Sequence, residues 1–182
     1  MQFYSTNNRN TRVSLKEAVL EGLAPDNGLY MPVTIPKLSA DFFKELKNKS
    51  FQQIGVDVAR NMIGDDLTSN ELEKIVAHTI QFDAPLVEIE KGIYSLELFH
   101  GPTLAFKDFG ARFLSGMLSH YAKQQEKEIT ILVATSGDTG SAVANGFFNV
   151  PGTRVVVLYP SGKVSEIQEK QFTTLGGNIT AL

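Results

Sequence analysis

Ile131-Leu-Val-Ala-Thr-Ser-Gly-Asp-Thr-Gly140 runs from an unbroken apolar segment into a polar, glycine-bearing one. Unbroken apolar runs mark strands buried on both faces, the habit of parallel sheets, and a Thr/Ser/Gly/Asp cluster directly after such a run marks a turn. The spacing predicts a strand over 129–135 and a helix over 139–148. Outward from there the same alternation repeats, with a helix over 109–123, a strand over 154–159 and a helix over 165–175. Two further strand-like runs lie at 86–89 and 93–99. Strands alternating with helices predict an α/β fold, a parallel sheet flanked by helices on both faces.

Upstream the texture changes. Ser14 precedes apolar Leu15, Ala18 and Val19 at helical spacing, so a short helix follows, ended by the turn-rich Gly22-Leu-Ala-Pro-Asp-Asn-Gly28. Phe42, Phe43 and Leu46, then Phe51, Ile54, Val58 and Met62, define two amphipathic helices. Thr68 with Glu71 three residues on is a capping-box signature for another helix, through Ile80. The chain therefore divides into a mostly helical region, 1–84, and an α/β region, 85–182. Gly176-Gly-Asn-Ile-Thr-Ala-Leu182 reads as a loop feeding a new strand. A strand at the last residue suggests an incomplete fold, the front part of a longer protein.

Composition narrows the function. With 182 residues and 42% hydrophobic content, the chain supports one sizeable core. A net charge of -3 with interspersed signs supplies no cationic field for a phosphate backbone, so nucleic acid is not expected as a partner. The absence of cysteine removes disulfides, thiolate nucleophiles and thiolate metal ligands. His78, His100 and His120 have no metal-ligand spacing, so no metal is expected. The N-terminus lacks the layout of a secretory signal, and the apolar runs fall well short of the ~20 residues that span a bilayer. We expect a cytoplasmic protein with no membrane partner.

Two segments carry candidate chemistry. Ligands in open α/β sheets gather at the carboxyl ends of strands, where the 134–140 turn falls. There Ser136 and Thr139 offer hydroxyls, Gly137 lets backbone approach a ligand, and the following helix aims unpaired N–H groups and its positive dipole end at an anion. The plainer alternative is that Asp138 caps the helix while Gly137 and Gly140 merely permit the turn. The other segment is His100-Gly-Pro-Thr-Leu-Ala-Phe-Lys-Asp-Phe-Gly110. Its Lys107 becomes a nucleophile only if its ammonium, with an ordinary pKa of about 10.4, loses a proton, and an enclosed setting favours that. The plainer reading here is a solvated surface charge. Dinucleotide-fingerprint, phosphate-loop and Gly-x-Ser-x-Gly patterns are absent.

Jointly these segments resemble the pyridoxal phosphate enzymes of the tryptophan synthase β-chain type, in which a lysine precedes Asp and a Ser-Gly-Asn-Thr-Gly-like loop follows one strand later. Tyr4-Ser-Thr-Asn and Gly22-Leu-Ala-Pro-Asp-Asn-Gly-Leu-Tyr-Met-Pro32 extend the similarity to the threonine synthase family within that group. The resemblance implies pyridoxal 5'-phosphate as cofactor and O-phospho-L-homoserine as small-molecule substrate, converted with water to L-threonine and phosphate. It implies Lys107 as the catalytic, Schiff-base lysine, with Phe106 and Asp138 beside the cofactor and Asp108 helping to fix the lysine. Ser136, Gly137 and Thr139 would hold the substrate carboxylate.

Other readings stay open: a serine/threonine dehydratase or cysteine synthase of the same group, or a non-catalytic relative that binds small anions. Family members are longer, so these 182 residues are expected to bind cofactor poorly and turn over little. Asp138 stands where relatives in the wider group carry asparagine. Two like charges ~4 Å apart repel by about 4 kcal/mol at an effective dielectric of 20, so Asp138 is expected either to share a proton with the cofactor or to turn away as a helix cap.

Overall fold

Ser14, Ser50 and Thr68 each start a helix, and each closes a capping box with the residue three positions on. The reciprocal bonds satisfy amides that a helix start leaves bare, a stabilisation of about 1 kcal/mol per cap. The computed structural model describes residues 1–123 and 128–182. These fall into two units, Met1–Ile80 and Gln81–Leu182.

The first unit opens with strands β1 (Gln2–Ser5) and β2 (Val13–Ser14), helix α1 (Leu15–Glu21) and strand β3 (Tyr30–Pro32). The strands form an antiparallel sheet in the order β2-β1-β3. The sequence reading did not anticipate this sheet, because strands this short show no alternation to detect. Helices α2 (Ala40–Glu45), α3 (Phe51–Ile63) and α4 (Ser69–Thr79) follow. Leu72, Val76 and Ile63 are buried, and Gly55 lets α3 close on α4: a Cβ there would lie 2.6 Å from Ile80 and 3.0 Å from Val76.

In the second unit, β4 (Leu86–Glu90) and β5 (Ile93–Leu96) pair antiparallel as a separate hairpin. Helix α5 (Lys107–Ala122) is followed by β6 (Ile129–Ala134), α6 (Asp138–Phe147), β7 (Thr153–Leu158), α7 (Glu166–Thr173) and β8 (Ile179–Ala181). The parallel sheet has the order β6-β7-β8. Residues 179–181 are thus the strand that the final loop predicts.

The described residues form the expected parallel sheet flanked by helices, with α6 and α7 gathered on one face of it. Val133, Val155, Val157 and Ile179 are buried on one face, while Leu132 is 66% exposed on the other. Parallel crossovers are right-handed, so two successive crossovers that step in the same direction put α6 and α7 on one side. Helix α6 is small-residued because it is crowded. Ala142, Ala144 and Phe147 are fully buried, and a Cβ on Gly146 would stand 3.0 Å from the Ala111 backbone of α5. Burying Phe147 alone contributes about 2–3 kcal/mol. No helix among the described residues is long and apolar enough to cross a membrane.

Candidate functional site

Lys107 is the first residue of α5, which begins earlier than its apolar periodicity suggests. Phe106 already has helical dihedrals (φ -58°, ψ -20°), so the last turn of the preceding loop winds straight into the helix. That loop is tight. Leu104 N–H reaches Gly101 O at 3.1 Å and Asp108 N–H reaches Ala105 O at 3.0 Å, while Leu104 itself takes a positive φ of 59°. A left-handed leucine costs about 1–2 kcal/mol, a strain that persists only where surrounding bonds impose it.

Asp108 imposes them. It is 1% exposed, and its carboxylate accepts the Thr103 amide at 2.9 Å and the Thr103 hydroxyl at 2.6 Å. A Cβ on Gly101 would fall 2.4 Å from Asp108 Oδ2, so only glycine lets the loop pass. Burial lowers the pKa of the nearby Arg112 guanidinium, an effect opposed by the Asp108 charge. Asp108 is therefore committed to the loop behind the lysine.

Lys107 and the turn after β6 line one cleft of about 370 Å³, together with Ala134, Thr135, Ser136, Gly137, Asp138, Thr139 and Gln168. The structure thus brings Lys107, Ser136, Gly137, Asp138 and Thr139 together. Lys107 is half-buried rather than enclosed, with Nζ 4.4 Å from the centroid of the Phe106 ring. Phe106 is 59% exposed and does not line the cleft with the others.

The helix-cap alternative for Asp138 does not hold. The cap position is Gly137, without a side-chain bond, and Asp138 is already the first residue of α6. Asp138 Oδ1 instead accepts Gln168 Nε2 at 2.6 Å. The capping work falls to Thr135. Its hydroxyl accepts the amides of Gly137 (3.0 Å) and Gly140 (2.9 Å) and donates to Gly137 O (3.1 Å). A Cβ on Gly140 would strike the Thr135 methyl at 2.3 Å, which explains that glycine. Among the described residues, the amides of Ser136, Asp138 and Thr139 have no acceptor.

Sequence reasoning missed Thr135, Thr103 and Gln168. The last had a signal: Ser165 and Gln168 have capping-box spacing at a helix that starts just after β7, on the same sheet edge as the 134–140 turn. No group of His, Cys, Asp or Glu among the described residues is placed to hold a metal ion.

An amine facing a turn with unpaired amides, at the carboxyl ends of parallel strands, defines an α/β protein with a small-molecule cleft at its sheet edge. Comparison with known proteins makes the class specific. Residues 2–80 match the family model described as the threonine synthase N terminus. The chain is 45% identical over 179 residues to threonine synthase of Escherichia coli strain K12, an alignment covering 98% of this chain and 41% of that protein. The crystal structure of Escherichia coli threonine synthase superposes with a TM-score of 0.92 at 44% identity, covering 100% of this chain and 42% of that one. A pyridoxal phosphate-bound threonine synthase from Brucella melitensis does so at 0.92 and 34% identity, covering 100% of this chain and 40% of that one. Residues 2–80 thus carry the threonine synthase N-terminal family, and the chain is similar to threonine synthases along its whole length. It spans about two fifths of the length of the curated relatives it matches.

Proposed function

We propose that the protein takes part in the pyridoxal phosphate-dependent conversion of O-phospho-L-homoserine and water to L-threonine and inorganic phosphate, with Lys107 as its catalytic residue. The observation that carries this reading is the shared cleft of Lys107 and the Ser136–Thr139 turn, in a chain similar throughout to threonine synthases.

The residues present suit the cofactor. The cleft lies within the range of roughly 300–1,000 Å³ typical of small-molecule sites, and it offers an amine for an aldehyde and bare amides for an anion. When bound, pyridoxal phosphate supplies an electron sink for carbanion chemistry. Lys107 would hold it through Nζ, and Phe106 and Asp138 would lie beside it.

Further duties would fall to the chain's own groups. Lys107 Nζ moves protons at the substrate's Cα and Cβ, a role that suits an amine at the rim of the cleft on a rigid helix start. The Ser136 and Thr139 hydroxyls and the bare amides of the turn hold the substrate carboxylate, assisted by the positive end of α6. Gly137 keeps that approach free of a side chain. Asp108, through Thr103, holds the loop that delivers the lysine.

Borohydride reduction of the chain mixed with pyridoxal phosphate, followed by peptide mass analysis, tests the assignment. Selective modification of Lys107 over the other lysines is expected, even at low yield. Even labelling across the surface lysines would overturn it. The 182 residues alone are expected to release little phosphate from O-phospho-L-homoserine, given the share of the relatives that they span.

A further inference from the structure

The side-chain amide of Gln168 is fixed at both ends. Its Oε1 accepts the Ser165 hydroxyl at 3.0 Å, and its Nε2 donates to Asp138 Oδ1 at 2.6 Å. Its flat face lies on the turn: a Cβ added to Gly137 would come within 2.8–3.0 Å of Nε2, Cδ and Oε1. Gln168 and Asp138 line the same cleft as Lys107, and Lys107 and Asp138 are the charged residues of that lining.

Asp138 is a hazard to an anion site. Its carboxylate sits at the first turn of α6, beside the amides of Ser136, Asp138 and Thr139 that no described residue accepts. Left to rotate, it competes with an incoming anion for those donors and repels it. The bond from Gln168 holds it toward α7 instead, and Ser165 sets which end of the glutamine amide faces it.

We propose that Gln168 is a positioning residue: by fixing the Asp138 carboxylate it keeps the amides of the 136–139 turn open to an anionic group. Under the reading above, on which this inference rests, that group is the substrate carboxylate. Lys107 and Gln168 then have separate duties, one toward the reacting carbons and one toward the anion that orients them.

Acetate is the probe, titrated into the isotope-labelled chain while the amide resonances of Ser136, Asp138 and Thr139 are followed. Saturable shifts are expected for the unaltered chain, and Gln168→Leu is expected to weaken binding about tenfold, the usual scale for losing a hydrogen bond to a charged group. Adding Asp138→Asn to Gln168→Leu should restore affinity, because the competing carboxylate is then gone. Gln168→Met, uncharged, close in length and suited to a case where the leucine variant does not fold, should weaken binding comparably and be restored in the same way. Unsaturable shifts in the unaltered chain, undiminished affinity in Gln168→Leu, or failure of Asp138→Asn to restore it would each overturn the proposal; the last would leave Gln168 as mere packing against Gly137. Selective labelling of Lys107 is read separately. Loss of that selectivity with the acetate results intact would remove the enzymatic reading and leave the anion site.

Discussion

Asp108 accepts two hydrogen bonds from Thr103, one from its amide at 2.9 Å and one from its hydroxyl at 2.6 Å, while itself 1% exposed. The pair closes the loop that ends in Lys107. An acid beside the lysine therefore acts from behind it, on the backbone, and the lysine's place in the cleft depends on a bond that the lysine does not make.

Replacing Asp108 with alanine strands a buried hydroxyl and amide. Buried donors without partners cost about 1–3 kcal/mol each. We expect Asp108→Ala to lose at least ~2 kcal/mol, read from the urea midpoint at constant slope, and to blur the selectivity of Lys107 labelling. Asp108→Asn, which keeps one acceptor oxygen, should lose about half as much. A midpoint within error of the unaltered chain would refute this role.

Thr135 is expected to matter through its hydroxyl. Thr135→Val keeps the shape but removes the acceptor for the Gly137 and Gly140 amides, at about 1–2 kcal/mol. Thr135→Ser should retain most of the stability. Thermal unfolding of the two variants side by side decides it, and a loss in Thr135→Ser with none in Thr135→Val would point to the methyl instead.

Gly146 sets how closely α6 meets α5. An added Cβ at 3.0 Å from the Ala111 carbonyl carbon meets backbone, which cannot rotate aside. Gly146→Ala should therefore destabilise by about 1–3 kcal/mol despite alanine's better helix propensity, through overpacking. A raised melting temperature would show that α5 yields.

Acid sensitivity has a local source in the first unit. The Ser5 hydroxyl, then the Gly28 amide, hold the Asp26 carboxyl below its ordinary 3.8. A depressed acid pKa stabilises the fold above the unfolded value, and the gain disappears as pH falls through the folded one. Carbon-detected titration should show the Asp26 midpoint rising toward 3.8 in Ser5→Ala, with a shallower loss of stability on the acid side. An unmoved midpoint would assign the shift to the backbone alone.

The helices were readable because their signals are local. Thr68 and Glu71 satisfy one another within a single turn, and Ser14 precedes its helix directly, so spacing along the chain is enough to find those starts, while the apolar spacing of Phe51, Ile54, Val58 and Met62 marks another helix. The parallel strands were readable for a similar reason, since Val155 and Val157 had to be apolar wherever their partners lay. The antiparallel sheet of the first unit was not. Its strands are too short to alternate, and they hold together by pairing Phe3 with Val13 and Pro32, which no local pattern announces.

The sequence by itself determined the residue types of the cleft and the strand-turn-helix grammar that puts a turn at a sheet edge. Only the tertiary structure decided what each polar group faces. Asp138 could be read as a cap because aspartate before a helix commonly is one, yet a glutamine thirty residues further along takes its carboxylate, and Thr135 caps instead. Asp108 could be read as helping to fix the lysine, but only the fold shows that its buried carboxylate is spent on Thr103. Hydrogen-bond partners far apart in sequence are chosen by the packing of elements, and the crossovers that set α6 and α7 on one face of the sheet are what bring Gln168 to the turn.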